Sequence, residues 1–168
     1  KCINNDLANN YGNLCQRVFS FVEKNYSNKI PMIGKQNESD VKLLNNLKTN
    51  ILSLTRLIDN QELNEYIKRV ISYSFDANKY FNDSKPWAVK KENQSRCDTI
   101  ICTIVEHIKN ISILLLPIIP IAANNTLDIL QLDKSKRNLE SINNNNIYAN
   151  NIKILKSKIL FKKVDYDN

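Results

Sequence analysis

Apolar positions along this chain recur at helical spacing. Ile3, Leu7, Tyr11, Leu14, Val18 and Phe21/Val22 step by three and four, which predicts a long amphipathic helix over 3–26. Pro31 and Gly34 break the pattern and mark a loop. Ser39 and Asp40 can cap a second helix, whose inward stripe is Val41, Leu44, Leu47, Ile51, Leu54 and Ile58. Beyond Asp59 and Asn60, Leu63, Ile67, Val70/Ile71, Ser74 and Ala77 predict a third helix running to about Phe81. In the stretch Asn82-Asp83-Ser84-Lys85-Pro86, Asp83 or Ser84 can accept from free N–H groups and Pro86 suits a first helical turn. A short helix with Trp87 near its start is expected there. A fourth long helix over 94–116 is apolar nearly all round at its centre, as a helix buried on every side should be. Pro117 and Pro120 kink or end it, and 121–130 form a last short helix.

The pattern predicts an all-α fold: an antiparallel bundle of four to five helices over 1–131, a polar Asn-rich linker over 132–151 that is poorly ordered, and a C-terminal extended arm over 152–168. Composition narrows the functions this bundle can have. At 168 residues and 42% hydrophobic, the chain can bury a sizeable core without staples. Only two glycines occur, Gly12 and Gly34, which excludes Gly-rich phosphate cradles and dinucleotide fingerprints and argues against a turn-rich β architecture. Cys2, Cys15, Cys97 and Cys102 have no Cys-x-x-Cys spacing, and the single His107 builds no zinc site with them, so no metal site is expected. Reduced thiols in a cytoplasmic protein are the simplest reading. The most apolar stretch, 100–123, carries Glu106, His107 and Lys109 and is broken by prolines, so no membrane span is expected. With no acid pair, hydrolase elbow or second histidine, no catalytic residue is assigned.

The formal net charge of +7 favours a polyanion partner, although 27 asparagines point to a compositional bias that also enriches lysine. Two features stand out. Asn5, Asn9, Asn13 and Arg17 are four apart and share a helix face, with Asn10 and Gln16 beside them. Amide and guanidinium groups offer the paired donors and acceptors that base edges need, while a merely solvated face explains the same stripe. The second feature is the lone Trp87, which follows Pro86 and has Lys85, Lys90 and Lys91 nearby. It suits a stacking platform for an unpaired base, and equally a core anchor.

Three blocks carry a resemblance: Asn5-Asp6-Leu7-Ala8-Asn9-Asn10-Tyr11-Gly12-Asn13-Leu14 with Gln16-Arg17-Val18, Ala77-Asn78-Lys79-Tyr80-Phe81 leading to Lys85-Pro86-Trp87, and Leu114-Leu115-Leu116-Pro117-Ile118-Ile119-Pro120 ahead of Ala122-Ala123. In this order and spacing they resemble the anticodon-binding bundle of methionyl-tRNA synthetases, and Leu160-Phe161-Lys162-Lys163-Val164-Asp165 resembles the family's ending. The resemblance implies recognition of a CAU anticodon on methionine tRNA. Trp87 would stack on anticodon bases; Asn5, Asn9, Asn10, Asn13 and Arg17 would face base edges; Lys85, Lys90 and Lys91 would hold the backbone. It also implies a parent enzyme that joins methionine to tRNA using ATP with Mg2+, on an N-terminal catalytic domain whose motifs this chain lacks. The arm would then pack on the bundle or on that domain, and this part would need no cofactor of its own. Two rival readings remain: the anticodon bundle of a valine- or isoleucine-type synthetase, and a non-enzymatic helical interaction module.

Overall fold

A computed structural model describes residues 7–143 and 152–156. Among them the chain is helical apart from turns, loops and one isolated antiparallel bridge between Lys29 and Lys153. A π-helical turn, Leu7–Gly12, leads into α1 (Asn13–Tyr26). There follow α2 (Glu38–Lys48), α3 (Ile51–Asp59), α4 (Leu63–Ser84), α5 (Pro86–Glu92), α6 (Gln94–Leu115), α7 (Pro120–Ile129), a 3-10 turn (Lys134–Lys136) and α8 (Leu139–Asn143).

The all-α expectation holds, with a finer division of the chain. The single helix expected over 40–58 is two, because Thr49 Oγ1 donates to the Asn45 carbonyl (2.9 Å) and Asn50 Nδ2 to that of Asn46 (2.6 Å). Side chains that satisfy the last carbonyls locally compete with continuation of the helix. The caps also move. Asn37, not Ser39 or Asp40, is the N-cap of α2, and Asp40 completes a capping box by accepting from the Asn37 N–H (2.9 Å). Neither Asp59 nor Ser84 caps a helix: α4 starts after Glu62 with no side-chain cap and runs through Ser84.

α6 is the axis of the fold. It packs against α1, α2, α4, α5, α7 and α8, and every residue from Thr99 to Leu115 is buried. Its apolar side chains join those of α1 and α4, including Leu14, Val18, Tyr66 and Val70, in one core. Full burial brings polar groups inside, where each needs a partner. Lys109 Nζ donates to Glu106 Oε1 (2.5 Å) and to the Ser141 carbonyl of α8 (2.9 Å). At the far end the Tyr66 hydroxyl donates to the Leu114 carbonyl (2.6 Å), left free because the Ile118 N–H turns to Leu115 before Pro120. Asp40, fully buried, accepts both Arg96 Nη groups (2.5 and 2.9 Å) and the Tyr80 hydroxyl (2.5 Å), tying α2, α4 and α6 together. No helix among the described residues is long and apolar enough to cross a membrane.

The segment 132–143, expected as part of a poorly ordered linker, is built into the domain. Arg137 donates to Asn124 Oδ1 (2.6 Å), Asp128 Oδ1 (2.5 Å) and the Leu132 carbonyl (2.8 Å), and Leu132 and Ile142 are buried. A cation that closes the end of α7 thus outweighs the segment's polar composition. Residues 144–151 and the ending at 160–165 lie outside the described residues. Of the arm, 152–156 returns to the bundle: the Ile30 N–H donates to Ile152 (2.8 Å), Ile154 N–H to Asn28 (2.7 Å) and Leu155 N–H to Ile129 (2.9 Å).

Two predictions follow from the buried polar groups. Burial alone would raise the Asp40 carboxyl pKa, but hydrogen bonds from Arg96, Tyr80 and the Asn37 N–H outweigh it and hold the group below its ordinary value. Asp40→Ala breaks this junction and should cost near the lower end of the roughly 3–5 kcal/mol seen for broken buried pairs, because Arg96 keeps some solvent contact. Denaturant unfolding measures the loss. His107, buried with Nε2 3.3 Å from the Tyr73 carbonyl, is pushed by burial down to about 4. Between an unfolded pKa of 6.5 and a folded one of about 4, the unfolded chain binds the extra proton, so stability should fall by roughly 3 kcal/mol as pH drops through that window. Unfolding curves at stepped pH should show this slope in the wild type and lose most of it in His107→Gln.

Candidate nucleic-acid interface

The α4–α5 junction sets the site. α4 ends in Lys85, a non-glycine residue in the left-handed region (φ 42, ψ 58), which also serves as the N-cap of α5. Pro86 then occupies the first turn of α5, buried, with its carbonyl 3.5 Å from the Cys97 thiol. This tight reversal places Trp87 on the first turn of α5 with its indole 47% exposed. Phe81, 3% exposed on α4, meets the indole edge to face (centroids 5.9 Å, planes at 73°). Phe21 of α1 packs on the same Phe81 ring at 6.1 Å and 87°. The tryptophan is thus neither a core anchor nor a free surface group: it is braced by Phe81 and about half of it faces solvent.

Arg17 comes to this aromatic cluster from α1. Its guanidinium lies over the Phe81 ring at 5.2 Å. It donates to Asn82 Oδ1 (2.6 Å) and Asn78 Oδ1 (3.3 Å). Asn78 in turn donates through Nδ2 to the carbonyls of Ser74 and Asn10 (both 3.1 Å), fastening the π-helical turn to α4. Tyr11, fully buried, anchors the other side of that turn through hydroxyl bonds with Ser112 Oγ (2.7 Å) and Thr126 Oγ1 (2.8 Å). A π turn holds an extra residue relative to an α turn, so it offsets Asn9 and Asn10 from the row made by Asn13 and Arg17.

The structure therefore brings Arg17 and Trp87 to one phenylalanine ring, with Asn13 exposed one turn before Arg17. Asn9 is exposed and Asn10 half-buried on the π turn. Asn5 lies outside the described residues. Lys85 and Lys91 are exposed on the flanks of Trp87, but Lys90 is engaged within the fold: its Nζ donates to Asn25 Oδ1 (3.1 Å) and sits 5.6 Å from the Tyr26 ring centre. The sequence reading missed Asn78, Phe81 and Asn82 as the partners that hold Arg17 and Trp87. Their spacing of three and four marks one helix face and could have found them.

A model of the family described as "Anticodon binding domain of methionyl tRNA ligase" matches residues 30–168, which include Trp87. A methionine–tRNA ligase from Rickettsia conorii is 32% identical over 170 residues, covering 97% of this chain and 33% of the relative, and so reaches the upstream residues as well. One from Pyrococcus abyssi is 32% identical over 165 residues, covering 98% and 22%. Methionyl-adenylate-bound methionyl-tRNA synthetase from Mycobacterium tuberculosis superposes with a TM-score of 0.86 at 27% identity, covering 95% of this chain and 32% of that one. The chain spans about a third or less of the length of these relatives.

Trp87 is the only tryptophan, so its fluorescence reports this junction alone. Phe81→Leu removes an edge-to-face contact worth about 0.5–1.5 kcal/mol and should let the indole reorient. Time-resolved anisotropy is expected to fall faster than in the wild type; an unchanged decay would mean that the ring is held by something else. The fold, the matched residues and the shared helical layout together place the chain in the family of methionyl-tRNA ligase anticodon-binding domains.

Proposed function

We propose that this domain recognises the CAU anticodon of methionine tRNA, as the C-terminal part of an enzyme that joins methionine to that tRNA. The observation that carries the reading is the half-exposed Trp87 indole, braced by Phe81, whose ring Arg17 also covers. An unpaired base stacked on a preset indole needs no ordering of the protein, which favours binding. Asn13 and Arg17 supply donors and acceptors for base edges, with Asn9 and Asn10 a turn earlier. Arg17 reaches a base or phosphate by exchanging the Asn78 and Asn82 amide oxygens for ligand oxygens. Lys85 and Lys91 hold the flanking phosphates, and Lys90 joins them only by leaving Asn25.

Methionine activation with ATP and Mg2+ belongs, in this reading, to an N-terminal catalytic domain of a cytoplasmic enzyme. Among the described residues no three His, Cys, Asp or Glu side chains gather into a metal-binding group, and no step of that chemistry is assigned to them.

The test is Trp87→Ala. Loss of a stacked base should cost on the order of 1–3 kcal/mol of tRNA binding. The melting temperature should move little, because the ring is half exposed. A core anchor would reverse the order, losing about 3–5 kcal/mol of stability first. A tRNA with a valine or isoleucine anticodon is the control. Equal binding of the wild type to it would remove the CAU assignment.

A further inference from the structure

We propose that Lys29 and Lys153 form a second RNA contact that grips the phosphate backbone of the stem beside the anticodon loop. The proposal rests on the anticodon reading above. The Ile30 N–H donates to the Ile152 carbonyl and the Ile154 N–H to that of Asn28, so Lys29 and Lys153 face each other as a non-hydrogen-bonded antiparallel pair. In this type of pair the side chains are closest and lie on one face. Ile30 and Ile154 are buried, at 0% and 2% exposure, which turns both lysines outward, and both are exposed. Like charges directly opposite destabilise a strand pair. No acidic side chain lies within 4 Å of either lysine among the described residues. Lys156, three residues along the arm, adds a third exposed cation, with Glu23 only 3.9 Å from its Nζ. Two unneutralised cations fixed side by side on backbone hydrogen bonds make a preset site for an anion, such as one phosphate or two successive ones.

Its position selects the stem. Arg17, beside Trp87, and Tyr26 are nine residues apart on α1, roughly 14 Å at 1.5 Å per residue, and Lys29 lies just past that end. A nucleic-acid strand advances about 3 Å per stacked nucleotide, so four or five nucleotides lead from an unpaired base stacked on Trp87 to the lysine pair, past the loop and into the stem. The contact exists only because the arm returns: Gln131 Nε2 donates to the Lys153 carbonyl and holds it in register.

The experiment measures binding of the whole chain to methionine tRNA and to the single-stranded heptanucleotide of its anticodon loop, from low to moderate salt. The variants are Lys29→Glu, Lys153→Glu, Trp87→Ala and, as a matched charge change elsewhere, Lys68→Glu on the exposed face of α4. Lys29→Glu and Lys153→Glu should each weaken tRNA binding about tenfold at low salt and flatten its log–log salt dependence by about one. Their effect on the heptanucleotide should be several-fold smaller, and Lys68→Glu should stay within about twofold of wild type. Lys29→Glu should also keep or raise the melting temperature, since opposite charges then face each other. A lysine-pair variant that matches Lys68→Glu on tRNA, or leaves the salt slope unchanged, overturns the proposal. Trp87→Ala separates the two readings. If it weakens neither RNA the anticodon reading fails; if it weakens both while Lys29→Glu weakens neither, only the stem contact fails.

Discussion

The burial of α6 on all sides from Thr99 to Leu115 is the constraint from which the rest of the structure follows. Seventeen helical residues with no solvent face must be enclosed, and six other helices of this chain enclose them. Because it also carries Glu106, His107 and Lys109 inside, the neighbours supply partners as well as apolar surface, while both side-chain amide atoms of the buried Asn110 are left without a hydrogen bond. Lys109 draws α8 in through the Ser141 carbonyl, Leu114 draws α4 in through Tyr66, and Arg96 draws α2 in through Asp40. The Asp40 junction also holds Tyr80, one turn before the end of α4. The end of α4 in turn fixes the Lys85 reversal and the direction in which Trp87 leaves the surface.

The candidate site divides its work between a buried ring and an exposed one. Phe81 gives Arg17 a ring to lie over and meets Trp87 edge to face, so both the cation and the indole are positioned by the same buried side chain. Two such groups in direct contact would satisfy each other through a cation–π pair and leave little for a ligand. As it is, the indole stays about half exposed, and the guanidinium is held by amide oxygens that a ligand oxygen can replace. The amide oxygens of Asn78 and Asn82 orient the fork without neutralising it, since both are uncharged.

Periodic apolar spacing made the long helices legible, and with them the burial of the centre of 94–116, because a helix segment that is apolar all round has only one place to go. The short break at 49–50 was not legible. Thr49 and Asn50 end α2 by bonding to carbonyls one turn back, an option that Thr and Asn have in any helix and use in few. Composition misled at 132–143, where a single arginine, Arg137, organises a polar stretch that its neighbours describe as loose. At the site, Trp87 and Arg17 could be named singly from residue type. Their relation through Phe81 is tertiary, set by how α1 crosses α4, and no local pattern within either helix contains it.

Both surfaces attributed to RNA binding begin at backbone positions that ordinarily favour glycine. Ser27, Asn28, Lys85 and Gln131 all have φ between 42° and 63°, while neither glycine of the chain takes a positive φ among the described residues. Each non-glycine residue in this region costs roughly 1–2 kcal/mol, least for Asn. Glycine would remove that cost, yet at two of these positions it would also remove a side chain in use or on offer. Lys85 lies two residues before Trp87, and Gln131 holds the Lys153 carbonyl. Ser27 and Asn28 instead turn the chain out of α1, so that Ile30 enters the core and Lys29 stays outside. A left-handed residue reverses the chain within one or two positions, which is the shortest way to leave a packed helix and present the next side chain to solvent. Gln61, between α3 and α4, takes the same conformation (φ 62°) away from both surfaces, and the other four residues sit at the three turns that hold the indole and the lysine pair in place before any ligand arrives. Positions fixed in advance carry less ordering cost on binding.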